Sequence, residues 1–201
     1  MKKSFIILLL LSMPCMLIAQ EKIKQKEIGL TFSNLDNFGI TFRTGTDKSL
    51  WRFNTLFLSG NSNERTADSA LYKRTDTGIG IQAGKEYRKV MARNFELRFG
   101  VDLSFAYSKQ KSKTDANTND PNYHIYESTA YIPGVKLVLG LNYVLNSNLV
   151  IGAELLPGIS YSTGRTKETY APSDTRVISD NSGWTYGITN SSALLSLVYR
   201  F

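Results

Sequence analysis

The sequence predicts an all-β chain, a single eight-stranded antiparallel up-and-down barrel that crosses a membrane. Three observations predict it. Apolar and polar residues alternate with period two through most of the chain beyond residue 25, and no stretch keeps a helical period. Short turns and long polar connections alternate from the second connection onward. The last strand runs to the final residue, with Ala193, Leu195, Leu197, Tyr199 and Phe201 on one face and Leu194, Ser196, Val198 and Arg200 on the other. A barrel has no edge, so such a strand pairs with the first and ends flush with a rim.

The N-terminus reads as an export signal. Lys2 and Lys3 precede the apolar run "FIILLLLSMPCMLIA", and Leu17 and Ala19 occupy the cleavage positions. The expected organisation is a signal peptide over 1–19, a short periplasmic segment over 20–25 and a barrel over 26–201. A lipid anchor on Cys15 is the rival, although Pro14 stands where such signals carry a small residue. Loss of Cys15 with the signal leaves no cysteine, so the core or the membrane must stabilise the domain. The formal charge is +7; without Lys2 and Lys3 there remain 22 basic and 17 acidic residues, dispersed along the chain. Neither a basic patch nor a motif favours nucleic acid.

Strands are expected at about 26–33, 37–44, 50–60, 76–88, 94–108, 124–145, 148–163 and 183–201. Tight turns fall at 34–36, 45–49, 89–93 and 146–147, and long polar loops at 61–75, 109–123 and 164–182. One strand carries a parity conflict. Trp184, Tyr186 and Ile188 are on even positions while the apolar set from Ala193 is odd, which a bulge near Asn190–Ser192 reconciles.

The contents of the two faces separate membrane from water. Phe99, Val101, Leu103 and Phe105 oppose Arg98, Gly100, Asp102 and Ser104, and Leu137, Leu139 and Leu141 oppose Lys136, Gly140 and Asn142. Charges share their face with glycines. The interior of an eight-stranded barrel is just wide enough to be filled by side chains, so it favours small residues and a few long ones that pair. A soluble ligand-binding barrel inverts this arrangement. Aromatic residues also gather at both strand ends: Phe42, Trp51, Tyr87, Phe95 and Tyr143 at one, Phe57, Tyr107, Tyr131, Tyr161 and Trp184 at the other. Such bands mark membrane interfaces.

The ending "LLSLVYRF" resembles the terminal-strand signal of Gram-negative outer-membrane proteins. "AYIPGVKLVLGLNY" and the Leu-Ile-Ala-Gln signal ending resemble small Bacteroidetes-type outer-membrane barrels, a porin-family, OmpX-like barrel domain. The resemblance implies residence in the outer membrane lipid. It also implies assembly by the barrel-assembly machinery, which reads Leu195, Leu197, Tyr199 and Phe201.

The inward set is Glu27, Arg43, Arg52, Glu86, Arg88, Glu96, Arg98, Asp102, Lys136, Glu154 and Arg200. Buried charges must pair, so these are expected to form a salt-bridged lumen. A non-enzymatic protein follows, with a role in envelope structure or in contacts made by its outer loops. It is expected to be a monomer without a cofactor. One alternative is a narrow porin-like channel. Another is a lipid-modifying enzyme using His124, the sole histidine, beside Asp120, Glu127 and Ser128. No metal constellation is evident. Pro133 and Pro157 each remove a ladder hydrogen bond at similar heights and mark a bend or a lateral weak point. "DSA" at 68–70 resembles a glycosylation tripeptide.

Overall fold

The computed structural model describes residues 25–33, 38–67, 70–115, 123–171, 173, 175–188 and 192–201. The expected signal peptide, all of 20–25 but Gln25, the 34–36 turn, Asp120 and most of "DSA" lie outside the described residues.

Ten strands are present: β1 (Gln25–Phe32), β2 (Phe38–Gly45), β3 (Ser49–Ala67), β4 (Ala70–Ala92), β5 (Phe95–Asp115), β6 (Tyr123–Val144), β7 (Leu149–Leu155), β8 (Gly158–Tyr170), β9 (Thr175–Gly187) and β10 (Ala193–Arg200). β1 to β7 pair each with the next, β7 pairs with β10, and β10 pairs with β1, all antiparallel. The ring therefore closes on eight strands. β8 continues the seventh wall strand along β6, and β9 pairs with β8. The two expected strands 148–163 and 183–201 are thus each divided.

The division has a register cause. Gly158 lies opposite Gly187, whereas Leu155 lies opposite Ala193, so five residues on one side face two on the other. The mismatch inverts parity: Tyr186 shares the outer face with Ile159, while Leu195 shares it with Ala153. The parity conflict read from the sequence is this shift. Asn190 and Ser191 of the expected bulge lie outside the described residues.

The three expected long loops are largely strand. β3 and β4 pair up to Ala67–Ala70, β5 and β6 to Asp115–Tyr123, and β8 and β9 to Tyr170–Thr175. Ser, Thr, Asn and Lys report exposure to water, not absence of a ladder, and these extensions also gain cross-strand pairs such as Lys73–Glu64 and Arg165–Asp180. The upper parts of β3, β4, β5, β6, β8 and β9 form an open sheet standing beyond the ring. At the other end the chain turns tightly. The 89–93 connection shortens to Arg93–Asn94, because β4 is strand to Ala92. Asn146 Oδ1 accepts from the backbone N–H of Asn148 (2.9 Å) and Leu149 (2.8 Å), a side-chain-closed turn.

The ring is inside out relative to a soluble protein. Ile28, Ile40, Phe53, Ile81, Leu103, Leu137, Leu139, Ile151 and Leu195 are exposed on its outer face, Leu137 by 50%. Arg43, Arg52, Arg98, Glu86 and Asp102 are fully buried within. Burying charge and exposing large apolar side chains is tolerable only where the outer solvent is lipid. This is an eight-stranded antiparallel up-and-down transmembrane barrel. Val138, Leu156 and Leu194 form a small apolar cluster within the largely polar lumen, and Leu50, Val150 and Val198 are buried apolar residues as well.

Phe57 departs from expectation. A bulge between Thr55 and Phe57 reverses parity, so Leu58 faces out and Phe57 faces in. A Cβ on Gly80 would lie 2.6 Å from the Phe57 ring, and one on Gly78 2.9 Å. These two glycines make the space that the ring fills, and Phe57 leaves the outer aromatic band.

Candidate functional site

The lumen collects charge from every strand of the ring. Glu27 comes from β1, Arg43 from β2, Arg52 from β3, Glu86 and Arg88 from β4, Glu96, Arg98 and Asp102 from β5, Lys136 from β6, Glu154 from β7 and Arg200 from β10. Strict alternation directs each inward, and ring closure brings together residues up to 173 positions apart.

Three carboxylates are the nodes. Glu154 accepts from Arg52 Nη2 (2.8 Å), Arg52 Nη1 (3.0 Å) and Arg98 Nη2 (2.9 Å). Glu86 accepts from Arg88 Nε (2.7 Å), Arg52 Nη1 (3.2 Å) and Arg98 Nη1 (3.4 Å). Glu27 takes both Nη groups of Arg88 (2.6 and 2.7 Å), Arg200 Nε (2.9 Å) and Arg43 Nη1 (3.3 Å). The paired Arg88 and Arg52 forks have the planar geometry that guanidinium offers a carboxylate.

A second tier lies beside these. Glu96 accepts from Arg200 Nη1 (3.2 Å) and Nη2 (3.0 Å) and from Asn142 Nδ2 (3.0 Å). Asp102 faces Arg52 Nε at 3.2 Å as a charge contact without an aligned hydrogen bond. Lys136 stands opposite Asp102 in the ladder and lines a cavity of about 220 Å³ in the barrel mouth with Phe57, Ile132 and Leu194. Glycines make room for the long side chains. A Cβ on Gly140 would approach Arg98 Nη2 to 3.0 Å, and one on Gly152 would approach Asn142 Oδ1 to 2.8 Å.

The remaining candidates are placed as follows. Leu195, Leu197, Tyr199 and Phe201 are exposed on the outer face at the chain's end, with Tyr199 and Phe201 stacked at 6.3 Å. Pro133 lies within β6 opposite Phe105, and Leu137 N donates to Pro157 O at 2.8 Å. On the side toward β7 and β8 the ladder skips at both prolines, from Tyr131–Thr163 to Gly134–Ser160 and from Lys136–Gly158 to Leu139–Leu155. A larger mismatch, five residues against two, lies on the other side of that wall strand, toward β9 and β10. His124 stacks on Tyr170 at 4.6 Å, and its Nε2 is 3.4 Å from Glu168 Oε2. Glu127 is on the other face of β6, and Ser128 is four residues along the strand, about 13 Å away at the strand rise. The expected grouping of His124 with Glu127 and Ser128 is not formed. Glu168 and Tyr170, its actual neighbours, are supplied by β8, and only the pairing of β6 with β8 could have revealed them. Among the described residues, no group of three His, Cys, Asp or Glu is placed to hold a metal ion.

A ring of eight strands with lipid outside and charge inside is the build of small outer-membrane proteins, and residues 67–176 match the putative OmpA-OmpF-like porin family. The chain belongs to that family. It is a porin-like outer-membrane β-barrel. No curated protein matches it in sequence. Among solved structures, Ail, the attachment invasion locus protein of Yersinia pestis, is 14% identical, with 90% of this chain and 100% of that one covered and a TM-score of 0.33. CarO of Acinetobacter baumannii is 10% identical, with 88% and 96% covered and a TM-score of 0.38. At those scores the fold rests on the strand ring itself.

Proposed function

We propose that this porin-like barrel has a closed, ion-paired lumen and works through its outer hairpin sheet, either within the envelope or in contacts with molecules outside the cell. The observation that carries the reading is the Arg52–Glu154–Arg98–Glu86 cluster, fully or almost fully buried and braced across opposite walls. An eight-stranded interior filled by side chains leaves no water column. Among the described residues, the catalytic alternative is left without the expected grouping of His124 with Glu127 and Ser128. The channel alternative keeps one favourable observation, the cavity of about 220 Å³ at the mouth.

Planar-bilayer conductance decides between plug and channel, with folding verified by the heat-dependent gel shift of the same sample. A folded barrel that stays silent supports the closed lumen. Reproducible current steps sink it and make transport the function.

A further inference from the structure

From β5 to β9 the hairpin sheet beyond the ring has two faces of different chemistry. Along β5 the outward face reads Phe105, Tyr107, Lys109, Lys111 and Lys113, while the inward face reads Ala106, Ser108, Gln110, Ser112 and Thr114. Register extends the contrast sideways. Lys109, Thr129, Arg165 and Asp180 form one outward row, and Lys111, Glu127 and Lys167 the next. The inward rows behind them are Ser108, Ala130, Gly164 and Asn181, then Gln110, Ser128, Thr166 and Ser179. From β5 to β9 the cations lie on the outward face, whereas Arg74, opposite Ser112, and Arg65, opposite Tyr72, lie on the inward face of β4 and β3.

The order along the outward face has a reason. It runs from apolar to aromatic to cationic, as the membrane does in depth. Tyr107 and Tyr131 pack at 5.3 Å, Phe105 and Tyr131 at 6.5 Å, and Tyr161 and Trp184 at 4.9 Å, forming the interfacial band. Lys109 lies two residues past Tyr107, about 5 Å higher for a strand tilted roughly 40°. That is the depth of lipid headgroups, a layer of about 5–7 Å on each side of the hydrocarbon.

A groove of about 420 Å³ lies there, lined by Tyr131, Lys109, Lys167, Arg165, Glu127 and Asp180. One of its cations is already matched, and its Glu127 is taken by a lysine from beside the groove. Arg165 Nε is 2.7 Å from Asp180 Oδ1, and Lys111 Nζ, at the edge, is 2.8 Å from Glu127 Oε1. Lys109 and Lys167 also bear on Glu127, which is committed to Lys111, so positive charge remains in excess.

We propose that this groove binds the phosphate group of an outer-leaflet lipid headgroup, with Lys109 and Lys167 as its principal ligands and Tyr131 against the upper acyl chain. The site faces sideways into the leaflet, so the lipid supplies the phosphate, not the medium. The proposal rests on the transmembrane orientation alone, and a conducting lumen would leave it standing.

Trp184 reports on the test. In a Trp51→Phe background, refolded into phosphatidylcholine vesicles, its fluorescence is quenched by brominated phosphatidic acid or by brominated phosphatidylcholine. Phosphatidic acid is expected to quench at the lower mole fraction, with a preference that shrinks as salt rises from about 0.1 to about 1 M. K109Q/K167Q should cut that preference about thirtyfold, taking about 1 kcal/mol for each cation at the surface. K48Q, in a turn at the opposite end, should leave it unchanged. Equal quenching by the two lipids in the unsubstituted Lys background overturns the proposal, as does a preference that survives K109Q/K167Q. Full competition by dissolved inorganic phosphate would overturn the lipid as the source. The salt series needs no lysine variant, so the proposal stays open to refutation if K109Q/K167Q does not fold.

Discussion

Arg52 shows what a single residue carries. Its guanidinium touches Glu86, Asp102 and Glu154 at 2.8–3.2 Å, all fully buried. Arg52→Met keeps the volume and removes the cation, leaving Asp102 without its guanidinium, Glu154 with Arg98 as its arginine donor, and Glu86 with Arg98 and Arg88. Breaking a buried pair costs about 3–5 kcal/mol, because the partner charge stays behind uncompensated. The unfolding midpoint in urea should fall accordingly. Arg165→Met should not move it, since both Arg165 and Asp180 are more than half exposed and such pairs contribute little. Equal midpoints for the two variants would refute the bracing role. Phe57 makes the complementary point about legibility. Alternation alone assigns it to the lipid side, and one extra residue in the ladder reverses it. A bulge leaves no mark in composition, although Gly78 and Gly80 opposite it are the trace that a ring needed the space.

At the scale of an element, the β8–β9 hairpin is held differently from the ring. Its outer strand, β9, is exposed on both faces, and its charges are solvated. Asp180 is held below the ordinary carboxylate range by the hydrogen bond from Arg165. Glu168 is held below it chiefly by the Tyr170 hydroxyl, with His124 adding to the effect. Lowered folded-state values mean that these carboxylates stabilise the hairpin above the unfolded value of about 4 and lose that contribution as pH falls through the folded value. Acidification from about pH 6 to about pH 3 should therefore release backbone amides of β8 and β9 first. Amide exchange followed by mass spectrometry, corrected for intrinsic rates, checks this. Ring strands losing protection before the hairpin would contradict it.

For the whole molecule, the sequence made the ring legible because lipid and a filled lumen impose opposite demands on alternate residues, as Leu137, Leu139 and Leu141 against Lys136, Gly140 and Asn142 show. The inward direction of Glu86, Arg98 and Glu154 follows from the same alternation. Which carboxylate meets which guanidinium does not, since Arg52 and Glu154 meet only through closure across 102 positions. The hairpin sheet was hidden for another reason: polar residues pair through the backbone as well as apolar ones, and polarity alone reads as loop. That independence of sheet and ring is itself testable. The pairs that close the ring run from Ala193–Leu155 to Tyr199–Leu149 and from Phe32–Leu195 to Glu27–Arg200, and none involves β8 or β9. Excising residues 162–183 and joining the ends through a two-residue turn removes most of the β8–β9 ladder and spares every ring pair. The shortened chain should still give the heat-modifiable folded band and an unchanged bilayer conductance, while losing any binding that belongs to the groove lined by Arg165, Lys167 and Asp180. A chain that no longer folds would mean that the outer sheet is part of what closes the barrel, and that its conformation and the ring's are one cooperative unit.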